Sequence, residues 1–258
     1  MKKNANKILL ISLFLLLFVL AFQTTAYALE DLPLTIPEGV EFDALPGEDP
    51  VGVTTPLQVL VMFTLIALFP FLLMMITSFT RIIISLHFMR AALGTQQMPP
   101  GQVLIGLALV LTFYLMAPVF TEFYDNAWVP YGAQQIDTAD LIEVGMEPFR
   151  DFMLRQVEVQ DLALFMRIAD FEYTPGIEIP NRILIPSFVL GELTKAFRIG
   201  FLLFLPFIVI DMVVASCLMA MGMMMLPPAM ISMPFKILLF IMVDGWPLVV
   251  EGIILTFR

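Results

Sequence analysis

Gly222-Met223-Met224-Met225-Leu226-Pro227-Pro228 is the stretch that decides how this chain is read. Proline lacks an amide donor and collides with the preceding turn, so Pro227-Pro228 ends one helix, while Gly222 releases that helix's last turn. Apolar sequence continues on both sides, roughly 190–221 and 230–256, which predicts a helical hairpin with three methionines at its tip. From Ile199 to Met221 is 23 residues, about 34 Å at the helical rise and enough to cross bilayer hydrocarbon.

Asp211 stands near the middle of the first arm, where an aspartate is disfavoured by about 2.5–3.5 kcal/mol on insertion scales. It needs a partner. With the hairpin centred near Met225, position 211 lies opposite position 239, and Lys236 is within one turn of it. The spacing predicts an Asp211–Lys236 pair, which either fixes the register of two helices or positions the methionine tip.

Composition agrees with a membrane protein: mean hydropathy is +0.93, 60% of residues are hydrophobic and only 14% are charged in a chain of 258. The net charge of −10 is unevenly spread, with seven acids and no base in residues 29–55, and two arginines and no acid in 77–101. Cys217 and His87 are the single cysteine and histidine. They supply no zinc ligand set, no intrachain disulfide and no nucleophile–base dyad, so Cys217 reads as packing and His87 as a polar interface residue. No metal or cofactor site and no phosphate-cradling loop is evident, and the acidic balance argues against nucleic acid.

Residues 1–28 carry Lys2, Lys3 and Lys7, an apolar run from Ile8 to Phe22 and then Ala26-Tyr27-Ala28, the pattern of a secretory signal cleaved after Ala28. Residues 29–55 read as a flexible acidic external segment. Residues 56–121 form a first hairpin: Leu57–Ile76 crosses once, bent at Pro70, and residues 102–121 return. Its tip, residues 94–100, runs from Gly94 through Thr95, Gln96, Gln97 and Met98 to Pro99-Pro100. Both tips read Gly, four residues, Pro-Pro, offset by 128 positions, which suggests two hairpins of like orientation. One tip is polar and the other soft.

Residues 122–185 form an acidic periplasmic helical segment, with 12 acids and four bases between 122 and 182. Glu147-Pro148 is expected to open one amphipathic helix with Phe149, Phe152 and Met153 on one face; Asp161 precedes a second with Leu164, Phe165 and Ile168. Lys and Arg counts do not follow the positive-inside pattern, so sidedness rests on the signal. Residues 186–258 form the second hairpin, with its methionine tip at 222–228. Its last arm is interrupted by Asp244-Gly245-Trp246-Pro247 and Glu251, and Glu192, Lys195 and Arg198 crowd the start of the other arm. Charges at helix depth imply packing against protein rather than lipid, hence an oligomer.

Gly94-Thr95-Gln96-Gln97 with Pro99-Pro100, Ile208-Val209-Ile210-Asp211-Met212-Val213, the run Met221–Pro228 and Val243-Asp244-Gly245-Trp246 resemble the FliP family. That family is the export-gate subunit of flagellar type III secretion; its injectisome counterpart is the SctR family. The resemblance covers about residues 50–258, and the N-terminal signal favours the flagellar branch. It implies a pentamer joined with FliQ-like and FliR-like subunits in a helical, pore-forming gate. FlhA-like, FlhB-like and FliO-like membrane proteins are implied as further partners, at the flagellar basal body in the bacterial inner membrane. It also implies an all-helical cone riding largely above the bilayer, passing unfolded substrates and needing no cofactor. Within it Met223, Met224 and Met225 correspond to a methionine gasket, and Asp211 and Lys236 to the family's charged pair.

The expected fold is therefore an all-α integral membrane protein of two helical hairpins with an external helical segment, assembling into a helical pore complex. A non-catalytic pore subunit is the leading reading. An ion- or proton-coupled transporter using Asp211 is the alternative, because an intramembrane acid is a site by default.

Overall fold

A computed structural model describes residues 64, 67–68, 71, 73–95, 97–172, 178–223 and 226–257. The expected signal peptide with its cleavage at Ala28, the acidic segment 29–55, most of the span Leu57–Ile76 with Pro70, and the tip residues Met224 and Met225 lie outside the described residues.

Among the described residues all regular structure is helical. The order is α1 (Phe79–Ala92), α2 (Gly101–Phe123), a π-helical turn (Tyr124–Trp128), α3 (Val129–Gly132), α4 (Thr138–Gln156), α5 (Val159–Ile168), α6 (Asn181–Ala220), α7 (Pro228–Met242) and α8 (Gly245–Leu255). The rod Gly101–Gly132 and α6 are each long and apolar enough to cross a membrane. α7 and α8 together make a third such stretch, broken by a 71° bend. This is an all-α protein with membrane-capable helices.

Several boundaries differ from the sequence reading. The first arm of the second hairpin starts at Asn181 rather than near 190, because α6 runs 40 residues through Pro186 and Pro206. The other arm, by contrast, breaks where its sequence is interrupted: it is two helices, parted where Asp244 takes a left-handed conformation, φ 50°. α4 begins at Thr138, not at Glu147-Pro148: the Asp137 carboxylate accepts the Asp140 amide at 2.8 Å and caps it, and Pro148 sits inside the helix. α5 starts at Val159 with Asp161 in its first turn, and Ile168 points out at 67% exposure instead of joining an apolar face.

Two apolar cores are strung along the long helices. One gathers Ile82, Leu86 and Met89 of α1, Leu104 and Leu111 of α2, and Phe207, Phe240 and Ile253 from α6, α7 and α8. The other packs Phe149, Phe152 and Met153 of α4, the face the sequence singled out, against Met116 of α2 and Phe188 of α6. α1 and α6 run parallel: Arg81 faces Glu192, and the Phe88 ring fills the space a Cβ on Gly200 would need.

Between these cores lies a fully buried Arg81. Its Nε donates to Glu192 Oε2 at 2.8 Å, one Nη donates to Thr256 O at 2.8 Å and Thr256 Oγ1 at 3.0 Å, and the other to Gln156 Oε1 at 3.0 Å and to Glu192 Oε1. All five guanidinium donors are used. The Phe257 ring covers the guanidinium at 3.7 Å. Gln156 Nε2 donates to Phe257 O at 3.0 Å, and Lys195 donates to Gln156 O. One side chain thus joins α1, α4, α6 and the turn after α8.

Removing either charge leaves the other buried and unpaired, so Arg81→Ala or Glu192→Ala should destabilise the chain by about 3–5 kcal/mol. The Arg81→Met/Glu192→Leu double variant should recover most of that loss, as measured by thermal unfolding in detergent; equal loss in single and double variants would show that charge pairing is not what the site contributes.

Candidate functional site

The two hairpin tips share a local geometry. Gly94 and Gly222 follow the ends of α1 and α6 with φ of 75° and 74°, a left-handed conformation that glycine adopts without strain. The Gly94 amide donates to Ala91 O at 3.1 Å and the Gly222 amide to Met219 O at 3.0 Å; at the second tip Met223 N also reaches Leu218 O at 3.0 Å, completing a Schellman turn. Pro100 precedes α2 and Pro227 precedes α7, with Pro228 as that helix's first residue. There its missing amide costs nothing.

The tips do not end at one level. Arg81 against Glu192 and Phe88 against Gly200 are sequence offsets of 111 and 112, whereas the tip glycines are 128 apart. The difference from 112 is 16 residues, so the methionine tip projects about 24 Å beyond the polar tip along α6 by helical rise. On the projecting part Met219, Met221 and Met223 are exposed, as is Cys217, which finds no packing role within this chain.

At the base of that projection Lys236 Nζ stands 2.7 Å from Asp211 Oδ2 and donates to Ala92 O at 3.2 Å. Ser232 Oγ donates to the other Asp211 oxygen at 2.5 Å. Ala92 is the last residue of α1, where carbonyls lack helical partners and a cation is favoured by the helix dipole. Lys236 is nearly buried while the Asp211 side chain stays 40% exposed. The cluster clamps α6 to α7 and both to α1. His87 is half-buried, its Nδ1 2.8 Å from Ile83 O, on the α1 face toward Phe197.

Ser232 was not singled out in the sequence, although it lies one turn before Lys236 and therefore on the same face. The Arg81–Glu192 pair was missed too. Its signal was the presence of both charges at helix depth, but 111 positions separate them. Among the described residues no group of three or more His, Cys, Asp or Glu side chains is placed to hold a metal ion.

Lys236→Met leaves Ala92 O without its donor and Asp211 without its cation, for a loss of about 1–3 kcal/mol in detergent unfolding. The exchange Asp211→Lys/Lys236→Asp restores opposite charges but not the donor to Ala92, so its recovery should be partial. Full recovery would mean that the Ala92 contact contributes nothing.

The FliP family model matches residues 62–253. A flagellar biosynthetic protein FliP of Pectobacterium carotovorum is 52% identical over 205 residues, covering 79% of this chain and 80% of its own. That of Bacillus subtilis is 48% identical over 212 residues, covering 82% and 96%, and that of Borreliella burgdorferi is 44% identical over 222, covering 84% and 86%. With its hairpins, glycine tips and charged clamp carried on the matched residues, the chain belongs to the FliP family.

Proposed function

We propose that this chain is a pore-forming core subunit of the flagellar type III export gate in the bacterial inner membrane. It passes unfolded flagellar substrates and contributes a methionine loop, Met223–Met225, that seals the pore. The observation that carries the reading is the extended similarity to flagellar biosynthetic proteins FliP. The projecting tip supports it: Met221 and Met223 are exposed beyond a clamped hairpin base rather than packed into this chain's own core. Methionine is unbranched and polarizable, so a ring of such tips from several copies can close on itself and re-pack around a passing chain of any sequence.

Five copies, joined by FliQ-like and FliR-like subunits, with FlhA-like, FlhB-like and FliO-like proteins nearby, form the assembly in this reading. The large apolar areas left open on α6 and α7, including Phe197, Phe201, Met212, Phe235 and Ile241, are the surface such an assembly or the lipid would cover. The chain performs no catalysis of its own; its work is shape and seal.

Replacing Met223–Met225 by alanine should leave assembly intact and raise passive leakage of small ions and solutes, read as solute influx in cells or vesicles. Leucines at the same positions should keep the resting seal but slow export. A correctly assembled alanine variant with unchanged leakage would refute the seal. The transporter alternative is separated by Asp211→Asn: a strut bonded to Ser232 and Lys236 loses assembled complex, whereas a proton carrier keeps assembly and loses coupling.

A further inference from the structure

Close to the methionine tip, α7 is held to the rest of the chain by polar contacts. Its buried residues are Ser232, Lys236 and Phe240, one helical turn apart on a single face, and of these only Phe240 joins an apolar core. The half of α7 nearest the tip therefore depends on Ser232 and Lys236. Ser232 Oγ is bonded to Asp211, and Lys236 Nζ is shared between the two hairpins, reaching Asp211 Oδ2 on α6 at 2.7 Å and Ala92 O at the end of α1 at 3.2 Å. The polar tip starts at that carbonyl. A Cβ on Gly94 would lie 3.9 Å from the same Nζ, and at the other end of the tip Arg90 donates to Pro99 O at 3.4 Å.

The two acceptors of Lys236 are not equivalent. The Asp211 side chain is 40% exposed and can exchange its cation for water, whereas the Lys236 side chain is 8% exposed. An ammonium withdrawn from water needs its donors met. Loss of Ala92 O therefore leaves Lys236 with a donor that water reaches only when the tip-side half of α7 moves away. We infer that the polar tip governs how firmly α7 is held: the turn from Ala92 to Gly94 places the carbonyl, Lys236 follows it, and α7 closes on α6 or loosens from it. Gly94 is the sensitive point of that turn, because its φ of 75° is one that a residue with a Cβ adopts only with strain. Anything that reshapes the polar tip, where Gln97 and Met98 are exposed, thus acts on the base of the methionine hairpin. The coupling is a property of one chain and does not rest on the methionine seal.

The test is amide hydrogen exchange of the full chain in detergent, followed by mass spectrometry, with α7 compared against the apolar face of α4. Gly94→Ala should speed exchange in α7 at least about tenfold and leave Phe149–Met153 unchanged. Lys236→Met should speed the same α7 amides, and adding Gly94→Ala to it should change them by less than about twofold, because the link between the two sites is already cut. Unchanged α7 exchange in Gly94→Ala overturns the inference. So does a full further acceleration in the Lys236→Met background, which would mean that the tip acts on α7 by another route. Equal acceleration in α4 would show that Gly94 supports the whole fold, and also overturns it. If Gly94→Ala does not fold, Arg90→Met, which frees Pro99 O at the other end of the tip, is read by the same comparison.

Discussion

Burying a guanidinium is tolerable only when every one of its donors is met, and Arg81 meets that condition with residues from three other parts of the chain. Glu192 fixes α1 against α6, Gln156 brings in the end of α4, and Thr256 with the Phe257 ring closes the turn after α8. The apolar cores on either side are built largely of leucines, methionines and phenylalanines, whose burial is non-directional. A buried ion pair does not slide. It sets the parallel register of α1 and α6, and from that register follows the level at which each hairpin ends.

The same logic recurs at the base of the methionine tip with less burial. Lys236 satisfies a carboxylate on α6 and a terminal carbonyl on α1 at once, so the end of the first hairpin becomes part of the support for the second. Beyond it lie a Schellman turn at Gly222 and a proline pair that restarts the chain as α7.

Charges at helix depth also divide by where the fold places them. Those paired within the chain cluster at the α1–α6 seam and at the hairpin base. Asp244, just before α8, and Glu251 within it are exposed, while Val249 and Ile253 of that helix bury against the core.

The sequence by itself determined the helical class, the two hairpin tips with their glycine and proline punctuation, the break at Asp244 and the facing of Asp211 and Lys236. Each of these rests on local chemistry or on helical spacing across a short turn. The apolar face of α4 was legible for the same reason, but its start was not, because Asp137 capping starts the helix ten residues ahead of the proline that seemed to open it. Only tertiary structure decided that Arg81 and Glu192 meet across 111 positions, that Thr256 and Phe257 complete their shell, and that the methionine tip outreaches the polar one. Periodicity says which way a side chain points, whereas register between distant helices is set by which buried groups must satisfy one another. That requirement appears only when the helices are packed.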